Sequence, residues 1–185
     1  GDLAQGTTPC AARSWDVTLR HLGKPDAAVV PLTVGFRVPA AVVTLANRLL
    51  ERLDVDVPVG RSLRRDGELR MREAGGEVSG AVVEAVRDAL GGEGSVGVIA
   101  ADGQVDGVRA ALAGAGIAVA GADEPGARVT LVPATLVKGL EYDHVVAVEP
   151  AAIAEAEPRG LHRLYVVLTR AVSRLDVVHG RPLPF

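Results

Sequence analysis

The chain has 185 residues, 48% of them hydrophobic, and its 20 Lys and Arg residues against 23 Asp and Glu residues give a formal net charge of −3. This length fits one domain or little more, and it can bury a sizeable core. The charge provides no global basic field for nucleic acid. The longest uncharged stretch near the middle, residues 110–122, is too short and too rich in Ala and Gly to span a bilayer.

The cysteine content and the first residues bear on the compartment. The single cysteine, Cys10, excludes an internal disulfide framework and a cysteine-based zinc site. The first ten residues, GDLAQGTTPC, contain neither the basic region nor the apolar run of a secretory signal. We therefore expect a reducing, cytoplasmic setting and no membrane partner.

The first half of the chain alternates predicted strands and helices. An apolar run at residues 27–34 predicts a strand, and Pro31 within it favours an edge strand or a bend. A helix follows from about Pro39. A short exposed strand is predicted at residues 68–72, and an amphipathic helix at residues 77–90, where two glycines end it. The predicted inward stripe of the first helix is Val42, Ala46, Leu49, Leu50 and Leu53.

The second half continues the alternation. The continuous apolar run SVGVIA at residues 95–100 is typical of a buried parallel strand, and a helix is predicted at residues 103–114. Four further short strands are predicted at residues 117–120, 128–132, 144–148 and 176–179. The last helix is predicted at residues 159–174. Strands that alternate with helices across short glycine-rich connections indicate an α/β domain with a mainly parallel sheet.

The last predicted helix has two unlike faces when its residues are placed about 100° apart. The apolar side chains from Leu161 to Leu175 fall on one face, and Arg163, Arg170 and Arg174 fall together on the opposite one. We expect the apolar face to contact the sheet and the three guanidinium groups to be displayed together. Such a face is either a solvated basic surface or part of a functional site.

Four segments carry sequence motifs. Residues 164–175 read LYVVLTRAVSRL, and residues 137–150 read VKGLEYDHVVAVEP. Near the other end, residues 1–5 read GDLAQ, and Phe36 with Arg37 stands directly before the helix that begins near Pro39.

These segments resemble, in the family's order, motifs VI, V, III and IV of superfamily 1 helicases of the UvrD/Rep type. The two longer strings carry most of the resemblance. It implies a RecA-like α/β fold, in which helices cover both faces of a mainly parallel sheet. Residues 26–185 would form the C-terminal motor domain, and residues 1–25 would be the remnant of a preceding motor domain.

Two departures from the family pattern indicate one branch of it. The large domain usually inserted between motifs IV and V is missing, because the α/β core itself takes up the interval from Arg37 to Lys138. The Thr-x-His step usual before motif V is replaced by VPAT at residues 132–135. Both features resemble the HelD-like branch, whose members act on RNA polymerase.

The resemblance implies an ATP site that two motor domains share. Arg37 and Arg170 would be arginine fingers on the γ-phosphate, a task that suits a permanently charged group able to bind two oxygens. Phe36 would stack on adenine, and Gln5 would sense the γ-phosphate. The residues leave one alternative open for each of two side chains. The alternative for Phe36 is ordinary core packing, and that for Arg37 is pairing with a nearby carboxylate at the start of the helix.

The KGLE loop would contribute further contacts. Gly139 would let the backbone approach the nucleotide closely, and Glu141 would lie near the ribose. Thr135 and Lys138 would contact nucleic acid or couple it to the nucleotide. A surface pair between Glu141 and an arginine is the alternative for that residue.

Half of an ATPase is missing from the sequence. No segment resembles the phosphate loop Gly-x-x-x-x-Gly-Lys-Ser/Thr, and the acidic pair that binds Mg²⁺ before motif III is absent. ATP with Mg²⁺ is therefore expected only together with the N-terminal motor domain of the same protein, with DNA or RNA polymerase as target, and the isolated chain is predicted to be inactive. The rival hypothesis is a non-catalytic RecA-like module that binds RNA polymerase or nucleic acid.

Overall fold

The computed structural model describes residues 1–124 and 126–185, which contain two parallel sheets. The strands are β1 (Val34–Gly35), β2 (Arg61–Ser62), β3 (Glu68–Glu73), β4 (Val96–Ala100), β5 (Val129–Pro133), β6 (Tyr142–Val148) and β7 (Ala171–His179). The small sheet joins β1 to β2, and the main sheet has the order β3-β7-β6-β4-β5. Every neighbouring pair in the main sheet is parallel, which confirms the predicted α/β class.

Helices cover both faces of the main sheet. The helices of the described residues are α1 (Trp15–His21), which contributes to neither core, α2 (Ala40–Leu50), α3 (Val78–Leu90), α4 (Val105–Gly114), α5 (Pro150–Glu155) and α6 (Gly160–Leu168). On one face α2, α5 and α6 pack on β6 through Val145 and Ala147, and on the other α3 and α4 share a core with Val146 and Val148. Adjacent residues of β6 serve opposite cores because strand side chains alternate. No helix in the described residues combines the length and apolar character needed to cross a membrane.

Most elements of the middle of the chain agree with the prediction. β4 is buried at every position, as the apolar run SVGVIA predicts for an interior parallel strand. β3 lies at the edge of the sheet and is mostly exposed, as its polar–apolar sequence predicts, although Met71 is exposed and Arg72 is partly buried. Pro39 directly precedes α2, and Gly91 follows the last residue of α3.

Two predicted strands are largely wrong. Only Val34–Gly35 forms a strand in the first apolar run, since its partner is the two-residue β2, and residues 27–33 are irregular. Leu32 is 95% exposed there. Apolar character alone therefore does not bury a segment that has no sheet to pair with. Residues 117–120 contribute a single bridge, from Ala120 to Thr130.

The last predicted helix is also wrong in its second half. α6 ends at Leu168, and β7 begins at Ala171 between β3 and β6. The residues after Ala171 are compatible with both the helical and the strand period. Hydrogen bonds to β3 on one side and β6 on the other hold them as a strand, so tertiary contacts override the local pattern. Arg163, Arg170 and Arg174 consequently share no exposed face, and all three are buried.

Candidate functional site

A cleft of about 230 Å³ lies between the segment that leads into α2 and the turn that joins α6 to β7. Gln5, Phe36, Arg37 and Arg170 line it together. These residues come from three distant parts of the sequence, so the fold brings together four of the residues predicted to form a nucleotide site.

Arg64 fixes the segment that carries Phe36 and Arg37. Its Nη1 donates hydrogen bonds to the carbonyl oxygens of Arg37, at 3.1 Å, and of Val172 in β7, at 2.6 Å. The backbone N–H of Ala40 donates to the carbonyl oxygen of Arg64 at 2.8 Å. Arg64 therefore ties the start of α2 to the main sheet. The sequence analysis missed this residue, because nothing in its surroundings marks a contact with residues about a hundred positions away.

Arg170 forms the floor of the cleft and is 5% exposed. Its Nε donates to the carbonyl oxygen of Val166 at 3.1 Å, its Nη1 to that of Leu140 at 3.4 Å, and its Nη2 to the hydroxyl of Thr169 at 3.3 Å. All three acceptors are neutral, and within the described residues the guanidinium pairs with no carboxylate.

The surroundings of Arg170 disfavour its positive charge. Burial lowers the pKa of Arg170, the neighbouring charge of Arg37 lowers it further, and the charge of Glu141 acts in the opposite direction. A buried charge without a counter-ion is costly, and an anion in contact with it removes much of that cost. The cleft therefore has the electrostatic character of an anion-binding site.

Arg37 differs from Arg170 in having a carboxylate partner. Its Nη1 lies 2.5 Å from Oε1 of Glu141, and the side chains are 56% and 38% exposed. The surface pairing that the sequence left open for both residues is thus present in this structure. The predicted roles of Arg37 on a γ-phosphate and of Glu141 near a ribose stay predictions.

Phe36 is 71% exposed at the rim of the cleft. Its ring is not part of either apolar core, so the alternative of core packing is wrong for this residue. An exposed aromatic side chain beside two arginines offers a face on which a planar ring can stack. Stacking on adenine stays a prediction.

The KGLE loop contacts Gln5, Arg37 and Arg170, three residues that line the cleft. Lys138 Nζ donates to the carbonyl oxygen of Gln5 at 2.9 Å, and the backbone N–H of Tyr142 donates to that of Arg170 at 3.1 Å. Gly139 has a φ of 93°, in the left-handed region that favours glycine. The loop thereby connects the N-terminal turn Leu3–Gln5 with both arginines.

Thr135 stands three residues before Lys138 and contacts a different residue. It follows β5, and its hydroxyl donates to Oδ2 of Asp102 at 2.6 Å. The predicted nucleic-acid or coupling residues Thr135 and Lys138 thus bind different partners, and neither lines the cleft.

The described residues, 1–124 and 126–185, contain no group of three or more His, Cys, Asp or Glu side chains that could hold a metal ion. No protein-family model matches the chain, and no curated protein sequence is significantly similar to it.

Solved structures do resemble the chain. The C-terminal domain of a possible DNA helicase from Lactobacillus plantarum WCFS1 aligns with a TM-score of 0.53 and 19% identity, over 81% of this chain and 91% of that one. This chain has the fold of a helicase motor domain. At this identity the likeness concerns the fold alone.

Two weaker likenesses add no argument. An arterivirus helicase, nonstructural protein 10, aligns with a TM-score of 0.40 and 17% identity over 63% of this chain and 29% of that one. The SWI2/SNF2 ATPase core of Sulfolobus solfataricus, solved with double-stranded DNA, aligns with a TM-score of 0.40 and 14% identity over 84% of this chain and 34% of that one.

Proposed function

We propose that this chain is the C-terminal motor domain of an ATP-dependent superfamily 1 helicase or translocase of the UvrD/Rep type, in its HelD-like branch. Residues 1–25 would belong to the preceding motor domain, whose phosphate loop completes the ATP site. The observation that carries the proposal is the buried guanidinium of Arg170, which has only neutral partners and faces a cleft shared with Arg37.

The two arginines suit phosphoryl transfer. Negative charge spreads over the transferred group in the transition state, and fixed cations directed at it lower the barrier. Arg170 is held by three hydrogen bonds and is pre-organised, whereas Arg37 is half-exposed and can turn toward a ligand. We assign both to the γ-phosphate.

Two residues that line the cleft and two on the neighbouring KGLE loop have supporting roles in the proposal. Phe36 stacks on adenine, Gln5 senses the γ-phosphate, and Gly139 and Glu141 approach the ribose. Mg²⁺ would be held by the preceding motor domain and would supply electrostatic stabilisation of the phosphates. The isolated chain would therefore bind ATP weakly and not hydrolyse it.

DNA or RNA polymerase is the proposed target of the assembled motor. The fold resemblance to a domain described as part of a possible DNA helicase supports the first, and the sequence features of the HelD-like branch support the second. Thr135 and Lys138 would couple the target to the nucleotide site.

ATP turnover by the protein that unites this chain with its partner motor domain tests the proposal. Arg170→Ala should lower kcat by roughly 10²- to 10⁴-fold, the size of arginine effects in phosphoryl transfer. Arg181→Ala is the control, because Arg181 forms an exposed pair with Glu155 beyond the far end of β7. Equal activities of the two variants would show that Arg170 is not catalytic.

Exposed apolar side chains favour a second candidate function, that of an interaction module. Val30 and Leu32 are 78% and 95% exposed, and apolar side chains of this size favour contact with another protein surface. A non-catalytic module that binds RNA polymerase or nucleic acid would use such a surface. It predicts that Leu32→Ser weakens binding to the target while Arg170→Ala changes nothing.

A further inference from the structure

Glu141 holds the side chain of Arg37 but not its backbone. The ion pair joins Arg37 Nη1 to Glu141 Oε1 at 2.5 Å, and both side chains are partly exposed. The carbonyl oxygen of Arg37 is bound separately, by Arg64. Release of the ion pair would therefore free the Arg37 guanidinium to turn while Arg64 keeps its backbone in place.

The two arginines of the cleft differ in the charge of the groups that they contact. The guanidinium of Arg170 contacts only carbonyl and hydroxyl oxygens, whereas that of Arg37 contacts a carboxylate. An anion that binds both must replace a carboxylate at Arg37 and nothing of like charge at Arg170. An anion that enters the cleft must therefore break the Arg37–Glu141 ion pair, and this step opposes its binding.

The geometry points to Glu141 as a competing counter-ion that an incoming polyphosphate must displace from Arg37, and that thereby selects for highly charged anions. This inference rests on the proposed function, in which Arg37 and Arg170 meet a polyphosphate chain. Coulomb attraction grows with the charge of the ligand. A singly charged anion gains little over the carboxylate already in contact, and a polyphosphate that bridges both guanidinium groups gains much more.

The loop around Glu141 allows the displacement. Gly139 has a positive φ. Among the described residues, apart from Gly139 and its two chain neighbours, no atom lies within 4 Å of the position that a Cβ would occupy there, so open space borders the loop at this residue. The carbonyl oxygen of Leu140, next to Glu141, accepts the hydrogen bond from Arg170 Nη1. Adjacent residues of the loop therefore contact the two arginines.

A ribose contact and a competing counter-ion predict different results for tripolyphosphate when Glu141 is neutralised. If Glu141 only binds the ribose, Glu141→Gln should weaken ATP binding and leave inorganic tripolyphosphate, which has no ribose, unaffected. If Glu141 competes for Arg37, the same substitution should tighten the binding of tripolyphosphate.

Calorimetric titration of the 185-residue chain with tripolyphosphate at low ionic strength provides the test. Glu141→Gln should lower the Kd by about two- to fivefold, the range of a partly exposed ion pair. The gain should shrink as salt screens the pair. Glu155→Gln is the matched control, since it removes the same charge from the exposed pair with Arg181. It should leave the Kd unchanged.

A second variant ties the effect to Arg37. In an Arg37→Gln background the gain from Glu141→Gln should vanish. The inference is overturned if the two Glu→Gln variants gain alike, if Glu141→Gln shows no gain or a loss, if the gain survives in Arg37→Gln, or if no variant binds tripolyphosphate. Loss of turnover in Arg170→Ala without this gain would refute the inference alone. The gain with normal turnover in Arg170→Ala would refute the proposed ATPase role alone.

Discussion

Phe36 and Arg37 are neighbours in the chain whose side chains have different surroundings. The Phe36 ring is largely exposed at the cleft, and the Arg37 guanidinium is paired with Glu141. A stacked aromatic ring contributes equally to the ground state and the transition state, whereas an arginine on the γ-phosphate meets charge that develops as the bond breaks. The proposed function therefore separates their effects on catalysis.

Phe36→Ala should raise the KM for ATP by roughly 5- to 150-fold, the equivalent of about 1–3 kcal/mol of stacking, and should spare kcat. Arg37→Ala should act mainly on kcat. Steady-state kinetics of the protein with its partner motor domain, at saturating target and varied ATP, measures both constants. A KM unchanged by Phe36→Ala would mean that the adenine is bound elsewhere.

Among the secondary-structure elements, the edge strand β3 is attached to β7 by ion pairs. Asp176 is fully buried in β7, and its two carboxylate oxygens accept hydrogen bonds from Arg72 Nε at 2.6 Å and Arg174 Nε at 2.5 Å. Arg72 also binds Asp88 of α3 at 2.6 Å. Asp176 thus links two strands, and Arg72 extends the link to a helix.

Asp176→Ala should lower the free energy of unfolding by about 3–5 kcal/mol, because it leaves the buried guanidinium of Arg174 without its counter-ion. Urea denaturation of the 185-residue chain measures this change. Glu155→Ala removes a carboxylate from an exposed pair and should cost much less, because solvent screens that pair. Similar losses for the two variants would show that burial of Asp176 adds nothing to its pairing.

His162 joins the N-terminal turn to the rest of the molecule. Its Nδ1 donates to the carbonyl oxygen of Ala4 at 2.9 Å, which leaves Nε2 to accept from Arg159 Nη2 at 3.0 Å. Burial lowers the pKa of His162; the Ala4 hydrogen bond and Asp2 oppose this shift, and Arg159 adds to it. The neutral ring is therefore the form that the fold stabilises.

The stability of the chain should depend on pH through this ring. Since the pKa of His162 is lower in the folded state than in the unfolded state, its contribution is fully present above about pH 6.5 and is lost as the pH falls below that value. Unfolding free energies at pH 8 and pH 5 should differ more for the native chain than for His162→Gln, whose side chain stays neutral. His21→Gln, at an exposed site on α1, should behave like the native chain. Equal pH dependence of the native chain and His162→Gln would exclude the ring as the cause.

Local pattern was sufficient for the elements whose burial agrees with their sequence. β4 is a continuous apolar run that only an interior strand accommodates, and α3 is an amphipathic helix ended by glycine. From these elements the parallel α/β class followed directly. The motif strings also indicated which residues would meet, and Gln5, Phe36, Arg37 and Arg170 do line one cleft.

Other features depended on contacts between distant residues. Residues 171–175 fit the helical period and yet extend, because β3 and β6 offer hydrogen-bond partners on both sides. Because these residues form a strand and not a helix, Arg174 pairs with Asp176, and Arg170 lies at the turn before the strand. The three arginines predicted to share one face therefore have three separate environments. The sequence by itself determined the residue types and their order. Only the tertiary structure decided which charges are paired, because partners such as Arg37 and Glu141 lie far apart in the chain and meet only once the sheet has formed.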